Sequence, residues 1–151
     1  TMYNSTWSSS LNGAQSAQPD GTAKLCLGCH DGTVAIDSFD RYAGGTWFMS
    51  DENTNFVIPG FADGTSRDLR GTHPISITYD ATADTKLHPT TSAMGTSGTI
   101  ASVLDNGKVQ CSTCHDVHDQ ESVAGTRLLR VAQTVAEGGN PPGLCLTCHI
   151  K

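Results

Sequence analysis

Residues 109 to 118 read Val109-Gln110-Cys111-Ser112-Thr113-Cys114-His115-Asp116-Val117-His118. Two thiols three positions apart, followed at once by an imidazole, form the pattern that decides how this chain is read. The same pattern stands at Cys26-Leu27-Gly28-Cys29-His30 and at Cys145-Leu146-Thr147-Cys148-His149. All six cysteines belong to these pairs, so no thiol is left over. Paired thiols at this spacing can build a disulfide framework in a secreted chain or a four-thiolate zinc site in a cytosolic one. Three pairs do not divide into four-thiolate sites. Histidine supplies 6 of 151 residues, so its presence after all three pairs has a chance on the order of one in ten thousand. The pattern therefore predicts three covalently attached c-type haems. In each motif the two thiols add to the two vinyl groups on one edge of a porphyrin, and the next residue then lies under the iron. Cys26, Cys29, Cys111, Cys114, Cys145 and Cys148 are the expected attachment residues, and His30, His115 and His149 the expected proximal ligands.

Three histidines remain, His73, His88 and His118, and three irons need three further axial ligands. The match in number makes all three the expected distal set. His73 and His88 each precede a proline, which biases them to extended backbone and lets the imidazole project from a loop. His118 follows His115 by three residues, so both imidazoles leave one short segment and cannot reach opposite faces of one iron. His118 is thus expected on a different haem from that of 111 to 115, which brings two haems close together there. Chain order gives the simplest pairing, with His73 on the first haem, His88 on the second and His118 on the third. Met2, Met49 and Met94 are alternative ligands that would raise a haem's potential. With enough histidines present, they read better as gap-filling apolar side chains.

The rest of the chain is poor in core-forming material. Only 36% of residues are hydrophobic and 16 are glycine, so 151 residues build a thin core from side chains alone. The expected architecture is a single domain over 1–151, mostly irregular and loop-rich. Short helices are expected at the motifs, with little strand and the haems forming the core. The motif recurs after 85 residues (26 to 111) and again after 34 (111 to 145), which makes the chain a string of attachment points. A net charge of -6 with only 9 Lys and Arg argues against nucleic acid as a partner. No apolar run approaches a membrane span, and no signal-peptide pattern opens the chain, whose first residue is Thr1 and not Met. This favours a product already trimmed by a signal peptidase.

Residues 1 to 22 are polar, with Trp7 and Leu11 as isolated apolar anchors, and read as an extended arm. Residues 31 to 70 are interrupted by Gly44-Gly45, Pro59-Gly60 and Gly64, and their scattered aromatics are expected to pack on a cofactor. The alternating stretch 74 to 79 (PISITY) is the best strand candidate, and 128 to 135 the best helix outside the motifs. Asn4-Ser5-Thr6 is a glycosylation sequon. The acidic stretch 51 to 55 (DENTN) lacks the order of a calcium loop and reads as solvated.

Taken together, CLGCHDGTVA at 26 to 35, GTHPISITY at 71 to 79, VQCSTCHDVH at 109 to 118, TRLLR at 126 to 130 and LCLTCH at 144 to 149 resemble the multihaem c-type cytochromes, including extracellular electron-transfer cytochromes of metal-reducing and related prokaryotes. The resemblance implies distal roles for the CHxxH histidine His118 and the His-Pro histidines His73 and His88. It implies an extracytoplasmic location, extracellular or cell-surface in preference to periplasmic. It also implies assembly of the filament-forming members into homopolymers with haem contacts between subunits and an axial histidine shared across them.

Two function classes follow. Electron transfer uses six histidines on six axial positions, with redox proteins or an extracellular acceptor as partners. A reductase of a small nitrogen compound needs an iron with an open position. The histidine count favours transfer and a non-enzymatic role. Within it, a filament subunit and a soluble periplasmic shuttle remain open, and an acidic shuttle would dock on a basic partner.

Overall fold

The computed structural model describes residues 2–3, 13–33, 58 and 68–150, together with the backbone of 38–39 and 42–43. Its regular elements, in order, are α1 (Gly21–His30), β1 (Ser38–Phe39), β2 (Tyr42–Ala43), β3 (Ile77–Thr78), α2 (Ile100–Val103), β4 (Lys108–Val109), α3 (Cys111–Cys114), a 3-10 turn (Val135–Glu137) and α4 (Gly143–Cys148). Loops and turns make up the rest of the described chain. Asn4, Trp7, Leu11, Trp47, Met49 and the 51 to 55 stretch lie outside the described residues.

Each cysteine pair sits on a helix. The local sequences GTAKLCLGCH, CSTC and GLCLTC lack proline, and the first and last carry Ala, Lys or Leu, but CSTC has no strong helix former and α3 and α4 are too short to hold themselves. Their ends are fixed from elsewhere in the chain. At the start of α1 the Asp20 side chain makes no cap of its own. It accepts instead from Lys108 Nζ at 2.5 Å and Gln110 Nε2 at 2.7 Å. The orphan Thr22 N–H then donates to Asp105 Oδ2 at 2.8 Å, a cap supplied from 83 residues away. Gly21, at φ +49°, is required there, because a Cβ would collide with the Asp105 carboxylate. At α4, a Cβ on Gly143 would collide with the Ala132 carbonyl.

Two small antiparallel sheets are present, β1 with β2 and β3 with β4. In the second, Ile77 faces Val109 and Thr78 faces Lys108. The other edge of β3 is covered by the N-terminal segment. Thr78 N donates to Ala14 O at 3.0 Å, Ser16 N to Ser76 O at 2.9 Å, and Gln15 bridges Ile77. Residues 13 to 20 are therefore a pinned edge, and the polar arm expected over 1 to 22 ends early, with α1 already begun at Gly21. The physical reason is the demand of β3's backbone groups for partners, which polar residues meet as well as apolar ones.

Two further expectations are corrected. The strand at 74 to 79 shrinks to Ile77–Thr78, because Ser76 takes φ +55° and turns its hydroxyl onto Gln110 Oε1 at 3.1 Å. The helix expected over 128 to 135 is absent. Leu128 has φ +58°, Leu129 bridges His115, and Arg130 N donates to Cys114 O at 2.9 Å. The backbone hydrogen bonds a helix would have made within itself are spent on the second motif, and tertiary pairing outweighs local propensity.

The side-chain core is thin. Ala23, Leu69, Ile77, Tyr79, Met94 and Ile100 are the buried apolar and aromatic residues among those described, and Ser76, Ser97, Gln110, Thr113 and Asp116 are buried beside them. Leu25 is 77% exposed and Val135 71%, so apolar side chains that a self-sufficient core would have taken in stay outside.

Candidate functional site

The second and third motifs share one geometry. His115 and His149 each follow the last helical residue directly, with extended backbone at φ -111° and -105°, and each donates its own N–H to the carbonyl of the first cysteine of its pair, Cys111 at 3.1 Å and Cys145 at 2.9 Å. His30 is the last residue of α1. In all three cases one helical turn presents two thiols and ends on an imidazole, and all six thiols are free.

The second motif is clasped by the stretch 126 to 130. Asp116 N donates to Leu128 O at 2.8 Å, and Arg130 Nε donates to Ser112 O at 3.0 Å. Most tellingly, His115 Nδ1 lies 2.7 Å from Arg127 O. A carbonyl only accepts, so Nδ1 carries the proton and Nε2 is the nitrogen left with a lone pair for a metal. Asp116 closes the following turn by accepting from the amides of Glu121 at 2.7 Å, Gln120 at 2.8 Å and His118 at 3.2 Å. Those amides, Glu121's first, hold its carboxyl below the usual range against the opposing effect of burial.

The third motif is stitched to the segment before His88. Leu87 bridges His149, His88 N donates to Cys148 O at 2.9 Å and Ile150 N to Lys86 O at 2.7 Å. Tyr79, 9% exposed, points its hydroxyl into this seam, 2.7 Å from His88 O and 3.3 Å from Cys148 O. Burial first, then the nearby Cys148 and Asp84, pushes the phenol above its ordinary value.

Beside this seam is a cavity of about 570 Å³, within the usual range for a cofactor pocket. Cys145, Cys148 and His149 of the third motif line it, as do Cys114 and His115 of the second. His73 lines it too, with its ring centroid 6.2 Å from that of His149 and the planes inclined by 59°. A metal–imidazole bond is about 2 Å long, so imidazoles on opposite faces of one ion place their centroids roughly 6 Å apart. His73 Nδ1 is 2.9 Å from Pro74 O, which again leaves Nε2 for a metal. Burial and the neighbouring His73 lower the His149 pKa, favouring the neutral, lone-pair form. His73 thus stands beside the third motif.

The thiols also form a sequence of neighbours. Burial, then the adjacent Cys26 thiol, pushes Cys111 up to about 12, and burial with Cys145 nearby raises Cys114. Burial likewise raises Cys148 to about 11. Cys26, Cys29, His30, Cys111, His88 and His118 are not among the residues lining the large cavity. Of these, His118 is exposed and His88 half-buried. Met94 is 1% exposed and lines the cavity, and Met2 packs on Leu69. Among the described residues no three His, Cys, Asp or Glu side chains gather as a bare metal site. At the third motif, the thiols of Cys145 and Cys148 with the imidazoles of His73 and His149 are a donor set that fits a cofactor held by two thiols and two imidazoles.

Tyr79 and Arg130 were not singled out by the sequence reading. Both lay in stretches that carried the resemblance, GTHPISITY and TRLLR, and their roles depend on partners 69 and 18 residues away. Comparison of the chain with protein-family models, with curated proteins and with solved structures gave no match. No helix among the described residues is long and apolar enough to cross a membrane.

Proposed function

We propose that the chain is a non-enzymatic electron-transfer protein, a multihaem c-type cytochrome with three haems. These are attached at Cys26/Cys29, Cys111/Cys114 and Cys145/Cys148, with His30, His115 and His149 as proximal ligands. His73, His88 and His118 are the distal ligands, and His73 serves the third haem. The observation that carries the reading is His73 facing His149 at 6.2 Å across a cavity lined by Cys145 and Cys148. When bound, haem c supplies a one-electron iron couple. The chain's own residues do the rest: thiol pairs anchor the group, Arg127 O and Pro74 O orient the imidazoles, and two imidazoles per iron leave no position for substrate. Intact mass should show three haem increments, and the oxidised protein should be low-spin throughout. Absence of the increments ends the reading.

We further propose, from the resemblance, that the chain is a subunit of an extracellular filament in which haems of successive subunits run on into one another. The feature in favour is that neither His88 nor His118 lines the large cavity, and that His118 is exposed. One of them is then available to an iron of the next subunit, and a head-to-tail interface of this kind propagates without closing. Electron microscopy and light scattering at low concentration should find long particles. His118→Ala or His88→Ala should release a monomer with one five-coordinate iron. A wild-type monomer at high concentration, fully six-coordinate, would instead identify a soluble periplasmic shuttle.

A further inference from the structure

We propose that the second motif holds the middle member of a row of three haems, flanked by the first on its Cys111 side and by the third on its Cys114 side. This rests on the trihaem reading above and adds the spatial order. On one side, α1 packs against α3. Thr22 Oγ1 and Ser112 Oγ are 2.7 Å apart, so the first turn of α1 touches the residue between the second motif's cysteines. Asp20, just ahead of α1, bonds Gln110, just ahead of α3. The two helices are thereby fixed together at their N-terminal ends, and the Cys26 thiol is a neighbour of Cys111.

On the other side, Cys114 and His115 share the large cavity with Cys145, Cys148 and His149. No residue of α1 lines that cavity among those described. Each cysteine of the second motif thus adjoins a different neighbouring motif, whereas the first and third are each placed against the second. Attachment points define where one edge of each porphyrin sits, so adjacency of thiols becomes adjacency of haem edges. An electron crossing the subunit between its outer haems then passes through the middle one, each step oxidising one iron and reducing the next by one electron with no further reactant.

The test is magnetic coupling between oxidised low-spin irons in three variants, each lacking one attachment. Each is dispersed to single subunits, as light scattering confirms, so that haems of neighbouring copies do not meet, and imidazole is added to keep any vacated iron low-spin. In Cys26→Ala/Cys29→Ala and in Cys145→Ala/Cys148→Ala the two remaining haems should give coupled electron paramagnetic resonance signals. In Cys111→Ala/Cys114→Ala coupling should be lost and two independent signals remain. Intact mass confirms two haems in each variant, and its finding none in the wild type would overturn the trihaem reading itself, a different failure. If the middle variant does not fold, nuclear Overhauser contacts in the reduced wild type, likewise dispersed to single subunits, replace it. Methyl groups of the second haem should contact those of both others, with none between first and third. Coupling retained in the middle variant, or first-to-third contacts in the wild type, overturns the proposal.

Discussion

His73 and His149 lie 76 residues apart in sequence and face one another with ring centroids 6.2 Å apart. The relationship is produced by two independent seams. One is β3 against β4, which fixes the chain just after His73. The other is the Leu87–His149 bridge with its flanking hydrogen bonds, which fixes the end of α4.

Replacing His73 should therefore affect the third haem alone. In His73→Ala one haem in three is expected to become high-spin and to bind carbon monoxide without denaturation. His73→Met should restore a low-spin iron at a higher potential. Visible and near-infrared spectra with a redox titration check both, and a His73→Ala protein still fully low-spin would remove His73 from the ligand set.

Tyr79 joins the His88 segment to the end of α4 through its hydroxyl. Tyr79→Phe keeps the ring's packing and takes the hydroxyl donor from His88 O, while Cys148 O keeps the His88 N–H, so a loss of about 1 kcal/mol is expected. At this chain length that corresponds to roughly 2–4 °C in melting temperature. Calorimetry of the haem-loaded protein measures it, and the haem count by mass should stay at three.

Asp20 contributes to the pH dependence, as does Asp116. Its carboxyl is held well below the ordinary range, first by Lys108, then by Ser16 and Gln110. A carboxyl with a depressed folded-state pKa stabilises the fold above its unfolded value, about 3.9, and that stabilisation is lost as pH falls through the folded value. Melting temperature should decline as pH is lowered below about 5. Asp20→Asn should be less stable at neutral pH and show a shallower acid decline, read by circular dichroism against pH.

The fold should depend on attachment, since six apolar and aromatic residues form the buried set among those described. With all six cysteines changed to alanine, the protein is expected to lose its cooperative thermal transition. A sharp transition in that variant would show that the side-chain core suffices.

Legibility in the sequence followed the range of each interaction. The helices at Cys26, Cys111 and Cys145 were expected, because the motif's chemistry requires a single turn. The helix over 128 to 135 was expected and is absent, since its backbone groups pair with Cys114, His115 and Asp116 and not with one another. The segment 13 to 20 read as an arm because polar composition conceals a backbone that pairs with Ile77 and Thr78. Tyr79 looked like an ordinary strand residue and Arg130 like a residue of the helix expected over 128 to 135.

The amino-acid sequence by itself determined the chemistry that can be proposed: three thiol pairs, an imidazole after each, three more imidazoles, and too little apolar material for a core. These follow from residue identity and from spacings of a few residues, which one helical turn converts directly into geometry. The tertiary structure alone decided that His73 stands beside His149, which carbonyl orients His115, and which thiols are neighbours. Those relations join residues from 12 to 85 positions apart. They are set by strand register, by a cap borrowed from Asp105 and by a clasp around Cys114, none of which leaves a periodic trace in the chain.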